Sequence, residues 1–205
     1  MRAELRADGL HISGYVNIPG RESRPVMTPR GRVNEIIEQR AFSRALAKAA
    51  KVDMLLDHDH SRVLASTSDG TLTVYEDAVG LRAESVVTDT DVIEGARAGK
   101  LRGWSFDIKN AVDTVEERAD KLPIRRISDF DISEVTLVMN KVPVYSSMSL
   151  EIRADDGEEA TEYRAYQDDK LEFFEAKTPE KEPEKPRYHE KYIAAIKALI
   201  APAHK

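Results

Sequence analysis

Between Leu10 and Ile18 the chain alternates. Leu10, Ile12, Val16 and Ile18 share one parity, and polar or small residues fill much of the other, which predicts a half-buried β-strand. The same period of two returns in "TLTVYEDAVGLRAESVV", residues 71–87. There Leu72 and Val74 lead into a turn ending at Gly80, and Leu81, Ala83 and Val87 come back out, as in a hairpin. "VDMLLDH" reads as a short apolar strand. "ISEVTLVMN" is rich in β-branched residues and sets Val135, Leu137 and Met139 on one face with Glu134 on the other. Two stretches change period. In "NEIIEQRAFSRALAKAAK", apolar residues recur at Ile37, Ala41 and Ala45 and at Phe42, Leu46 and Ala50, which predicts a helix with Asn34 as its N-cap. A shorter helix starts at Thr90 or Asp91 and stops at Gly99. Many short strands with two inserted helices predict an α+β fold, mostly antiparallel β, arranged as a sheet or barrel with helical decoration.

The pattern changes near residue 155, which divides the chain into a domain over 1–154 and a tail over 155–205. "DDGEEATEYRAYQDDKLEFFEAKTPEKEPEKPR" is acidic and then alternates Pro with Glu and Lys, a composition that disfavours a packed core and predicts a charged, flexible C-terminal tail. Its last piece, "YHEKYIAAIKALI", is apolar-periodic and reads as a short amphipathic helix.

Composition narrows the chemistry. The 205 residues suffice for one domain with a core and an appendage. There is no cysteine, so disulfides, thiolate metal sites and cysteine nucleophiles are excluded. A net charge of -6 with 33% charged residues argues against a phosphate-backbone binder, and nucleic acid is not an expected partner. No apolar run approaches the ~20 residues that span a bilayer. The start, "MRAELRADG", lacks a secretory signal's apolar segment. A soluble, cytoplasmic protein is expected, with no membrane partner.

Catalysis, if present, leans on Ser, His, Asp and Glu. The densest cluster is "LLDHDHSR", with Asp57, His58, Asp59 and His60. On a strand, residues 58 and 60 point the same way, so His58 and His60 can chelate a metal with a third ligand such as Asp57, or one imidazole can act as a general base. A polar strand end with hydrogen-bonded histidines explains the same letters. Ser105 in "LRGWSFDI" poses a parallel choice. A serine hydroxyl needs a base and oxyanion donors before it becomes a nucleophile. "GWS" lacks the closing glycine of a G-x-S-x-G elbow, which excludes an α/β-hydrolase. Glu134 is either an ordinary acid on a strand or the group that orients an imidazole.

Taken in order, "NEIIEQRAFSRAL", "LLDHDHSRVLAS", a hairpin ending "GLRAE", "GKLRGWSFDI" and "ISDFDISEVTLVMNKVPVY" resemble the tailed-phage prohead serine proteases, or capsid maturation proteases. The resemblance covers roughly residues 10–153. It implies a β-barrel surrounded by helices, similar to the herpesvirus assembly proteases. It also implies a serine endopeptidase that needs no cofactor. The family's histidine pattern maps to His58, its Gly-x-Ser strand to Ser105, and its Glu-Val-Ser/Thr-Leu-Val strand to Glu134. The implied roles are nucleophile for Ser105, general base and then acid for His58, and third member for Glu134. His60 is the alternative third member, because the herpesvirus relatives use a second histidine. Asp107 stands where many members carry a glycine, next to the expected oxyanion hole, and "NKVPVY" departs from the family's usual strand end. The implied partners are the major capsid protein with its scaffold region, and the chain itself through autocleavage or a dimer. The implied setting is the prohead in the host cytoplasm. The alternative is an inactive assembly factor of the same fold, which Asp107 favours. For the protease the tail is a self-cleavage site or a scaffold-binding element; for the inactive factor it binds the scaffold.

Overall fold

Apolar residues recurring at every second position sort the strands into two β-sheets that share one core. The computed structural model describes residues 1–28, 31–139, 162–166 and 171–175. The first sheet contains β1 (Arg2–Arg6), β2 (Gly9–Asn17), β7 (Leu72–Glu76), β8 (Leu81–Val87) and β13 (Glu172–Glu175), in the order β13-β1-β2-β8-β7. The second contains β3 (Val26–Thr28), β4 (Gly31–Ile37), β5 (Asp53–Leu56), β6 (Asp59–Ser66), β9 (Gly103–Glu116), β10 (Ile124–Asp131) and β11 (Glu134–Val138). Its order is β3-β4-β10-β9-β11-β5-β6, and β12 (Glu162–Tyr166) adds to β9 off that path. Two helices, α1 (Ala41–Lys48) and α2 (Thr90–Arg97), complete the described elements.

The fold is therefore α+β and mostly β. Most strand pairs are antiparallel, while β1–β13, β4–β10 and β5–β11 are parallel. The expected barrel is corrected to two open sheets, since the strand order closes neither one among the described residues. The hairpin over 71–87, the strands at 9–17 and 53–56, and the helix at 90–97 fall where the periodicity puts them.

The long helix expected from Asn34 is also corrected. Its first part is strand β4, and α1 begins only at Ala41. Val33, Glu35 and Ile37 share the inward face of β4, so a buried acid occupies an apolar parity and hides the period of two. The N-cap residue is Arg40, in left-handed backbone at φ 64°, and its side chain makes no cap hydrogen bond. Glu76 of β7 supplies the cap instead: its carboxylate accepts from the Arg40 and Ser43 amides at 2.9 and 2.7 Å. An acid at a helix N-terminus satisfies orphan N–H groups and complements the helix dipole. From α1, Phe42 packs edge-on against Phe106 and Phe130 at 5.2 Å between centroids. These contacts fix β9 and β10 beneath the helix.

Residues 103–108 of β9 are buried without interruption, as in a strand covered on both faces. β11 lies along one edge of β9, pairing Thr136 with Ser105, and β12 pairs Ala165 with Ser105. β12 and β13 lie beyond the compositional shift at residue 155, and both join a sheet. The helix expected in "YHEKYIAAIKALI" and the "KVPVY" strand end lie outside the described residues.

Candidate active site

Three elements converge on one imidazole. β5 and β6 form a hairpin in which Leu56 pairs with Asp59, leaving Asp57 and His58 as a two-residue turn. Both have positive φ, 53° and 59°, the conformation of a type I′ turn, which matches the twist of the strands it joins. Asp57 suits such a position, since Asp tolerates left-handed backbone better than most residues. The turn is tied to the end of β11: the Asp57 amide donates to the Leu137 carbonyl at 2.9 Å, and the Asp57 carboxylate accepts from the Met139 amide at 2.7 Å. These bonds aim His58 across the sheet instead of along a strand face. The alternating geometry that put His58 and His60 side by side for a metal is thereby corrected. Among the described residues, no three His, Asp or Glu side chains are grouped to hold an ion.

His58 Nε2 lies 2.7 Å from Ser105 Oγ, and Nδ1 is hydrogen-bonded to Glu134 Oε1. The His58 side chain is 15% exposed and that of Glu134 2%. The structure thus brings together all three residues singled out as catalytic candidates. His60 is 69% exposed, and its Nε2 stands 3.9 Å from Glu134 Oε2. That separation is beyond hydrogen-bond distance.

The Ser105 hydroxyl also donates to the Arg164 carbonyl on β12 at 2.8 Å. One hydroxyl proton cannot serve both acceptors. While it faces Arg164, the imidazole donates from Nε2. When it turns to His58, Nε2 must be the bare, accepting nitrogen and Nδ1 carries the proton toward Glu134. The second arrangement is the one in which a base can take the serine proton.

Glu134 is held by groups that sequence patterning did not connect to it. Asp107, buried at 1% exposure on β9, accepts from the Ser133 and Glu134 amides at 2.8 and 2.9 Å and from the Ser133 hydroxyl at 2.5 Å. Burial pushes the Asp107 carboxyl up from its ordinary value, against the lowering effect of those donors. Its side chain clamps the start of β11. Thr136 Oγ1 donates to Glu134 Oε1 at 3.3 Å. Glu134 Oε2 makes no hydrogen bond among the described residues. The sequence signal for the clamp was the acid itself, placed in an otherwise unbroken buried run.

A serine, an imidazole and a buried carboxylate hydrogen-bonded in series define the class: a serine-hydrolase type of arrangement, in which the ring can relay the hydroxyl proton while the carboxylate fixes its tautomer. The family model for caudovirus prohead serine proteases matches residues 1–163, and the chain belongs to that family. Membership supports a serine protease of capsid maturation that acts on phage capsid proteins in the assembling prohead. No curated protein matches the chain, and no solved structure matches it. Among the described residues, no helix is long and apolar enough to cross a membrane.

Proposed function

We propose that this chain is a serine endopeptidase that cleaves the scaffold region of the major capsid protein, and itself, inside the prohead, with Ser105, His58 and Glu134 as its triad. The observation that carries the reading is the His58 ring bridging Ser105 Oγ and Glu134 Oε1. Ser105 attacks the scissile carbonyl as His58 Nε2 takes its proton. His58 then returns that proton to the leaving amine, and water hydrolyses the acyl-enzyme by the reverse path. Glu134 keeps Nδ1 protonated and stabilises the imidazolium.

The alternative of an inactive assembly factor rested on Asp107. That carboxylate is engaged with the amides at 133 and 134, so its presence argues for a positioned Glu134 instead of a decayed site. A small fluorophosphonate tests the reading on the full chain. Covalent labelling at Ser105, lost in Ser105→Ala along with at least 10⁴-fold of capsid-protein cleavage, is the expected result. Unlabelled wild-type protein, or processing that survives Ser105→Ala, overturns it.

A further inference from the structure

β12 runs antiparallel along the nucleophile strand, with Glu162 opposite Ile108, Arg164 opposite Phe106 and Ala165 opposite Ser105. An extended peptide laid on a strand edge, with main-chain pairing for affinity and pockets for alternate side chains, is how many proteins hold peptide ligands. The carbonyl that meets the Ser105 hydroxyl belongs to Arg164. Its side chain is almost wholly buried.

The residues receiving β12 come from the neighbouring strands. Glu35 of β4 and Arg125 of β10 are register partners. The Arg164 guanidinium is clasped by both Glu35 oxygens, through Nε to Oε2 and through Nη2 to Oε1 at 2.7 Å. Glu162 accepts two bonds from Arg125, at 2.7 and 3.2 Å, and also receives Arg164. Arg125 further donates to Glu35 at 2.9 Å and to Asp113 at 2.5 Å. Burial alone would lower the Arg125 pKa, but its acidic partners hold it above the usual range. Without β12 the receiving groups are two carboxylates, Glu35 and Asp113, against one guanidinium. That slot is net acidic at the Arg164 position and basic at the Glu162 position.

We propose that this slot is the protease's substrate cleft, that it reads Glu-x-Arg on the acyl side of the scissile bond, and that residues 162–164 occupy it in cis as a substrate mimic. The inference rests on the protease reading above. Glu35 selects the arginine whose carbonyl Ser105 attacks, and Arg125 selects the glutamate two residues before it. For a substrate in this register, Ser105 Oγ bonds to the arginine carbonyl carbon while its proton passes to His58 Nε2. The C–N bond then breaks and the amine leaves with that proton. Water releases the new arginine carboxylate and restores the serine. A buried acid built to pair a guanidinium strongly rejects an uncharged analogue, because Glu35 is then left without its partner.

The test uses the full chain and three peptide aminocoumarins: acetyl-Glu-Tyr-Arg, the same peptide with Gln for Arg, and the same peptide with Gln for Glu. The expected kcat/KM falls at least about 100-fold for the first replacement and about 10-fold for the second. In Glu35→Gln, Arg-over-Gln discrimination is expected to collapse below about 10-fold. A purely structural role for Glu35 in holding β12 would not move that ratio. Should the variant fail to fold, the three peptides on the wild-type chain decide alone. Equal rates for the three peptides, or no turnover even at the roughly millimolar peptide needed to match a competitor carried on the same chain, by a chain that the fluorophosphonate labels overturn the cleft and leave the protease reading standing. A chain that does not label has lost the protease reading instead.

Discussion

Glu134 and His60 are both within reach of the question of which group orients His58, and their positions separate them. The Glu134 side chain is 2% exposed and hydrogen-bonds the ring, whereas that of His60 is 69% exposed at 3.9 Å from the carboxylate. Glu134→Gln is expected to lower kcat by about 10³-fold or more, since an amide in that place no longer stabilises the imidazolium. His60→Ala is expected to stay within about 3-fold of wild type. Steady-state cleavage of capsid protein checks both, and the opposite ranking would reassign the third member. Asp107 acts one step further out. In Asp107→Ala the Ser133 and Glu134 amides lose their acceptor, and each unsatisfied buried group costs about 1–3 kcal/mol. Urea denaturation is expected to show a loss of about 2–4 kcal/mol, while Asp107→Asn, which keeps one acceptor oxygen, loses markedly less. The residues themselves were legible: Ser105, His58 and Glu134 could be named from the order of motifs. Their convergence was not, because it depends on two left-handed residues in a turn and on a clamp between β9 and β11.

Elements were readable where one face was apolar and the other polar. β2, β7 and β8 declare themselves by alternation, and α2 by its punctuation, with Gly99 in left-handed backbone at φ 64° just past its end. The reading failed where a charge was buried. Glu35 on β4 and Arg125 on β10 sit inward because each finds a partner of opposite sign on another strand, information that no local window holds. β12 was hidden for the same reason: "EYRAY" lies in an acidic stretch, and it becomes a strand only against β9. Its dependence on those pairs gives a prediction at this scale. Arg164→Gln is expected to speed amide exchange across residues 162–166, and to raise cleavage of added peptide several-fold as the internal competitor loosens. Hydrogen-exchange mass spectrometry and peptide kinetics read the two effects separately. Unchanged exchange would show that the guanidinium does not anchor the strand.

At the scale of the molecule, the network around Arg125 joins β4, β9, β10 and β12 into one pH-sensitive assembly. Burial alone would raise the Glu162 carboxyl, but Arg125 and Arg164 outweigh it and hold its pKa below the ordinary value. A carboxyl depressed in the docked state stabilises docking above its free pKa, and that stabilisation is lost as pH falls through the docked value. Protection of residues 162–166 is therefore expected to be full near pH 7 and to fade below about pH 4, the usual range for a free glutamate. Protection that stays flat across that pH range, after correction for intrinsic exchange, would show that Glu162 contributes nothing.

The hydroxyl that donates to Arg164 has a consequence best expressed as a competition. A ligand carried on the same chain competes at an effective concentration that can reach the order of millimolar. A dilute substrate strand loses that contest and meets an occupied site. Inside a closing shell, where copies of the substrate are packed together, the local concentration rises to the same order and the contest turns. The strand lying over Ser105 would make crowding itself the trigger, so that proteolysis begins when assembly has gathered enough substrate.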